Sequence, residues 1–181
     1  MEVPFLVGER YYLRKLTEED INDRYLSWMQ DPTVTEFLAP IHQPHTIESL
    51  KEYWRLNQRS NTYFLAIIDR ETDTHIGNVR LDIYDSEKRF AELGMLVGEK
   101  AFWGKSCMYD VYGMLIEYGF VQLKLKGITV GAESSHIASI ITFKKLGFKL
   151  QTKLENHYQK NGKSVDVFRF ILEANDYSKC G

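Results

Sequence analysis

Leu93-Gly94-Met95-Leu96-Val97-Gly98-Glu99-Lys100-Ala101-Phe102-Trp103-Gly104-Lys105-Ser106 carries an apolar strand through a loop and into a helix. Residues 90–97 are mostly apolar, interrupted by the single acid Glu92. Beyond Lys105, Met108, Val111, Tyr112 and Leu115 recur at helical spacing. The first N–H groups of a helix have no partner within it and carry partial positive charge. A pyrophosphate at that point accepts several hydrogen bonds at once. Gly104 lets the backbone approach it, and Lys105 adds a charge. The same residues also fit an ordinary strand–loop–helix corner with a surface lysine, because a short glycine motif is weak evidence by itself.

Working outward, residues 11–16 read as a strand. Thr17 opens a helix, with Asp20 at capping-box spacing and Ile21, Tyr25 and Trp28 on one face; Asp31-Pro32 ends it. Thr46 opens a second helix, with Ile47, Leu50 and Trp54 on one side. The period then changes. Residues 63–68 form a continuous apolar run, and Val79, Leu81 and Ile83 alternate with Arg80 and Asp82 as in a half-buried strand. A helix over 105–122, a strand over 127–130 and a helix over 135–146 follow. That last helix turns Ile137, Ile140 and Ile141 inward and stops at Gly147. Two closing strands, 148–158 and 164–172, meet at Asn161-Gly162. Successive hairpins imply antiparallel strands, and the unit from residue 90 to 130 implies one parallel crossover. The expectation is a single α/β (α+β) domain over 1–181, a mixed, mostly antiparallel sheet flanked by helices, with a polar tail from about residue 174.

The chain has 181 residues, 44% hydrophobic and 27% charged, the profile of one globular domain. Its net charge of −2 argues against general nucleic-acid binding, so a polyanionic ligand needs a local device. The N-terminus has an early acid and no basic, apolar leader, and no apolar run approaches the roughly 20 residues that span a bilayer. Two cysteines, Cys107 and Cys180, make no disulfide framework. The expectation is a cytoplasmic protein without a membrane partner. Cys107 has no base beside it in sequence and is not read as a nucleophile. His42, His45 and His75 lack ligand-spaced partners, so no metal site is expected.

Further along, His136-Ile137-Ala138-Ser139 precedes Phe143-Lys144-Lys145-Leu146-Gly147-Phe148. With Trp103-Gly104-Lys105-Ser106-Cys107-Met108 before them, and Arg14-Lys15-Leu16-Thr17 and Trp28-Met29-Gln30-Asp31-Pro32 near the start, the chain resembles the GNAT N-acetyltransferase superfamily. The branch it resembles includes ribosomal-protein and some amino-sugar N-acetyltransferases. Either motif alone is weak; together, at this separation and in this element order, they are fairly specific. The resemblance implies acetyl-CoA as co-substrate. It implies contacts from Leu96, Val97, Trp103, Gly104, Lys105, Ser106, Cys107, Met108, His136, Ser139 and Phe143. Four positions depart from the family pattern: Ser106 replaces a loop glycine, Met108 a small residue, His136 an asparagine and Phe143 a frequent tyrosine that serves some members as general acid. Phe has no proton to give.

Acetyl transfer needs a neutral amine, a polarised thioester carbonyl and a proton for the thiolate. A lysine-like amine has a pKa of roughly 10.4 and is mostly charged at neutral pH. Glu92 is the leading acceptor for that proton; the alternative is a Glu92 that faces solvent on an edge-like strand or pairs with Arg80 on a neighbouring one. A backbone N–H of Leu96 or Val97 would polarise the carbonyl. His136, Ser139, Tyr109 and Tyr112 are candidates to protonate the thiolate, with His136 equally read as a helix-start residue touching CoA. Phe37, Tyr53, Trp54 and Tyr84 are candidates to line the acceptor pocket, or are core aromatics. The acceptor is a primary amine: a small molecule, an amino sugar or a protein N-terminus. A homodimer is left open. The rival is a catalytically silent CoA-binding or interaction protein on the same fold, prompted by Ser106, Met108 and Phe143.

Overall fold

The computed structural model describes residues 3–39, 45–85, 87 and 89–177. In chain order the elements are β1 (Leu6–Val7), β2 (Tyr11–Lys15), α1 (Asp23–Gln30), α2 (Ile47–Leu56), β3 (Thr62–Asp69), β4 (Thr74–Asp85), β5 (Phe90–Val97), α3 (Cys107–Glu117), β6 (Gly127–Glu133), α4 (Ile137–Lys145), β7 (Lys149–Lys160) and β8 (Lys163–Glu173). The described strands make one sheet in the order β1-β2-β3-β4-β5-β6-β8-β7. Every neighbouring pair is antiparallel except β5 with β6. The mixed, mostly antiparallel sheet is therefore the one the hairpin pattern implies, with the short β1 added.

Alternation along the strands divides the core in two. One face of the sheet carries Leu13, Leu65, Val79, Leu81, Leu93 and Ile128 against Val111, Tyr112 and Leu115 of α3 and Phe143 of α4. The other carries Phe64, Ala66 and Ile68 against Tyr25 and Trp28 of α1 and Leu50 of α2. In β5 the odd residues Leu93, Met95 and Val97 pack toward α3, while Leu96 packs toward α1 and α2.

Two local readings are corrected. The helix expected from Thr17 forms a single short turn, Glu18–Asp20, and α1 begins after a second cap, Asn22, whose side chain accepts from the Arg24 and Tyr25 amides. The capping box expected between Thr17 and Asp20 is present: the Asp20 carboxylate accepts from the Thr17 amide at 2.9 Å and from both arms of Arg14 at 2.7 Å. In α4, Ile140 is buried, but Ile137 and Ile141 are 58% and 48% exposed. The inward stripe is Ser139, Ile140 and Phe143.

The feature that positions the site lies between β5 and β6. They pair only at Phe90–Gly127, Ala91–Ile128 and Glu92–Thr129. Beyond Glu92, β5 stays with β4 as far as Val97–Gly77, and β6 stays with β8 as far as Glu133–Val167. Adjacent parallel strands thus part like a fork, and the β6-facing edge of β5 from Leu93 to Val97 has no strand paired to it among the described residues.

Candidate active site

A cavity of about 1090 Å³ fills the fork. Its walls are Leu93–Val97 on one side, Gly131 and Ala132 of β6 on the other, the loop and first turn of α3, the start of α4, and residues 33–38. In an antiparallel ladder, alternate residues turn their backbone groups toward and away from the partner strand. The Gly98 amide donates to Ile76 O at 2.9 Å, on the β4 side. By that alternation Leu96 also faces β4, and the amides of Met95 and Val97 face the fork. Consistently, Ala91 O and Val97 O, of the same parity, accept from Thr129 Oγ1 and Trp103 Nε1 on the fork side. Of the two amides named from sequence, Val97 is the one aimed into the cavity.

The loop into α3 folds back on the strand it leaves. Trp103 Nε1 donates to Val97 O at 2.9 Å, and the Tyr11 hydroxyl donates to Lys105 O at 3.3 Å. Gly104 has φ +72° and nothing within 4 Å of where a Cβ would stand, so its face is open to a ligand. Ser106, the residue before α3, sits at φ 59°, ψ 8°. That is the left-handed region where glycine is the ordinary occupant. Ser106 thus keeps the glycine path, and its side chain makes no cap, leaving the first amides of α3 without a side-chain partner. Met108 packs against the core beside α3 and also lines the cavity. Lys105 holds its ammonium 5.3 Å from the Phe102 ring centroid.

Cys107 is buried, and burial pushes its thiol up to about 12, so it is a neutral core group rather than a nucleophile. Phe143 is buried among Tyr112, Phe148 and Phe170. Tyr112 lines the cavity with its phenol raised by burial, and Tyr109 lies at the rim, 40% exposed. His136 stacks on Phe37, ring centroids 3.9 Å apart, and lies 3.0 Å by Nδ1 from Ser139 Oγ. Burial lowers its pKa, against the pull of Glu133 and Glu36, so the ring is neutral at pH 7.

Glu92 and Arg80, a possible ion pair in sequence, are apart. Glu92 accepts from Arg169 at 2.6 Å and lines neither cavity. Arg80 donates from one nitrogen, Nη1, to the Tyr53 hydroxyl and to Asn57 Oδ1, both at 2.9 Å. It lines a second cavity of about 530 Å³ on the α1–α2 face, which meets the first at Leu38 and Gly94–Leu96. Phe37 lines the first cavity and Tyr53 the second. Trp54 donates to Leu16 O at 2.9 Å and Tyr84 is exposed, and neither lines either cavity.

Two contributors had no local sequence signal. Arg80 looked like the polar half of an alternating strand. Lys160, near the end of β7, pairs with buried Glu133 at 2.5 Å and donates to the carbonyls of Glu36 and Leu38, tying the loop over the fork to the sheet. His75 is spent on Gly77 O and Asn78 Oδ1, His45 lines the second cavity, and His42 and Cys180 lie outside the described residues. Among the described residues no group of three His, Cys, Asp or Glu side chains is placed to hold a metal, and no helix is long and apolar enough to cross a membrane.

The forked sheet therefore sets a bare strand edge beside a helix start whose first amides have no side-chain cap, an arrangement suited to an anionic group. The sequence model of the GNAT acetyltransferase domain matches residues 10–149, and the chain belongs to that family. It is an acyl-CoA-dependent N-acetyltransferase with acetyl-CoA as co-substrate. It is 29% identical over 178 residues to an uncharacterised N-acetyltransferase, p20, of Bacillus licheniformis, covering 96% of this chain and 98% of that one. Among solved structures, the fold matches a probable acetyltransferase with a TM-score of 0.84 at 20% identity, over 97% of this chain and 99% of that chain. It also matches spermidine N-acetyltransferase from Vibrio cholerae in complex with CoA and spermine, with a TM-score of 0.82 at 17% identity, over 92% and 97%.

Proposed function

We propose that this enzyme acetylates the primary amine of a small molecule by direct attack within a ternary complex, in the cytoplasm. The observation that carries the reading is the fork: two cavities, one behind the α3 loop and one under α1 and α2, meet along the bare edge of β5. Acetyl-CoA supplies an activated acetyl group. The open face of Gly104 and the free amides at the start of α3 suit its phosphates. The Val97 amide points into the fork, where it would polarise a carbonyl, and a preorganised donor of this kind is worth about 10²–10³ in rate.

The acceptor enters from the second cavity, whose walls include Tyr25, Tyr53 and Phe64. Glu92, committed to Arg169 and outside both cavities, holds the foot of the fork where β5 and β6 part. The amine proton therefore leaves to solvent through the open end of the cleft. His136, neutral and stacked on Phe37, forms a wall of the first cavity, and the departing thiolate takes its proton from solvent. The rival reading of a silent binding protein loses one of its supports, since Ser106 keeps the glycine backbone path.

The test is release of free CoA thiol from acetyl-CoA across an amine panel, with the acetylated product identified by mass. Turnover of a small primary amine is expected. Binding of CoA without turnover of any amine, peptide N-termini included, would overturn the reading.

A further inference from the structure

Arg80 stands in the second cavity without an acidic partner among the described residues. Its cross-strand neighbour on β5 is Gly94, which has no side chain, and a Cβ there would meet nothing within 4 Å. The guanidinium thus borders open space at the point where the two cavities join. It is held in place from behind: Nη1 spends both hydrogens on Tyr53 and Asn57. Asn57 is itself buried and fixed by a 2.7 Å bond from its Nδ2 to Tyr53 O. What remains is the side-on edge, Nε–H with Nη2–H, which has no hydrogen-bond partner among the described residues. That edge is the one whose two parallel N–H groups match the two oxygens of a carboxylate.

The surrounding acids are engaged elsewhere. Asp82, on the same face of β4, accepts from Thr62 at 2.7 Å and pairs with Arg59 at 3.4 Å. Glu92 is held by Arg169. No Asp or Glu among the described residues lines this cavity. A second polar group reaches the same cavity. Asn78, 3% exposed, has its Oδ1 at 2.9 Å from His75 Nε2, and its amide faces the Tyr25 hydroxyl on the cavity wall.

We propose that the second cavity selects small amines that carry a carboxylate, with Arg80 gripping the carboxylate while the amine lies at the fork. The proposal rests on the acetyl-transfer reading and names the acceptor class for it. A polyamine is disfavoured, because its ammonium groups meet a guanidinium and no carboxylate.

The test measures calorimetric binding to the CoA-saturated full chain of three matched pairs: γ-aminobutyrate and butylamine, leucine and leucinamide, lysine and its methyl ester. Spermidine is the polycation control. At least one carboxylate should bind about tenfold or more tighter than its neutral partner, as charge-assisted bidentate bonds require. Arg80→Gln should erase that preference. Arg80→Lys, which keeps the charge but loses the side-on fork, should reduce it and serves if the Gln variant does not fold. Equal binding within all three pairs, tightest binding of spermidine, or a preference that survives Arg80→Gln each overturns the proposal. Thiol release on the same panel separates the two readings. Carboxylate-dependent binding without turnover sinks acetyl transfer and leaves the selectivity standing.

Discussion

Replacing Glu92 with Gln separates a catalytic base from a structural ion pair. The carboxylate meets Arg169 at 2.6 Å, with side-chain exposures of 37% for Glu92 and 31% for Arg169. A pair as open to water as this contributes little, about 0.2–1 kcal/mol. For a chain of 181 residues that corresponds to a fall in Tm of no more than about 4 °C. Arg169→Gln should produce a loss of similar size, and the double variant should lose less than the sum, because the two changes remove one interaction. Turnover tells the other half. Removing a general base lowers kcat by about 10²–10⁴-fold, whereas loosening the foot of the fork should cost less than about tenfold. The assays are scanning calorimetry and a pH–rate profile on the same samples, with whichever amine the panel shows to be turned over. A kcat loss of about 10² or more at neutral pH, shrinking as pH rises and more amine is already neutral, would refute the structural assignment and restore Glu92 as the base.

Acetyl-CoA at about 100 times its Kd should stabilise the protein by about 2.7 kcal/mol, and an unchanged melting curve at saturating CoA would move the co-substrate out of the fork. Gly104→Val should fold and yet bind CoA more weakly by calorimetry, because the branched side chain fills the open face and is forced into a left-handed backbone. Lys160→Met should lower stability by about 3 kcal/mol, since it leaves the buried Glu133 charge without its cation, held only by the Tyr158 hydroxyl among the described residues. Adding Glu133→Gln should recover part of that loss in urea unfolding. Burial opposes the charge on Asp20, but the Arg14 and Thr17 hydrogen bonds outweigh it and hold the carboxyl below its ordinary value. Its folded pKa being depressed, its stabilisation is present above the unfolded pKa of about 3.9 and is lost as pH falls through the folded value. Asp20→Asn should therefore cost stability at pH 7, and the gap to the parent protein should narrow in urea titrations below about pH 4.

The arrangement of elements was legible because it is written in short-range patterns. Alternation marked β4, the continuous apolar run marked β3, and Asn161-Gly162 takes up the two positive φ values of 51° and 73° that close the β7–β8 hairpin. The strand-to-helix step from Val97 to Cys107 is equally local, and with the resembling motif around His136 and Phe148 it points to the co-substrate. Helix faces were less secure. Ile137 and Ile141 look inward by hydrophobicity, but the face of α4 that meets the sheet is set by where Phe143 finds Tyr112 and Phe170, which lie far off in sequence.

What only the tertiary structure decided is which groups share a space. Glu92 found Arg169, 77 residues away, rather than Arg80, twelve away on the neighbouring strand, because β8 lies beside β6 and brings its guanidinium across Gly131. Lys160 reached back to the loop at Glu36, 124 residues earlier. The fork is invisible in sequence, since a ladder that stops after Glu92 leaves no mark on the residues that would have continued it. Patterns of two and 3.6 residues report on a chain's own neighbours. The partnering of charges, and the direction of one amide such as that of Val97, depend on strand order and register, which are settled only when the whole sheet assembles.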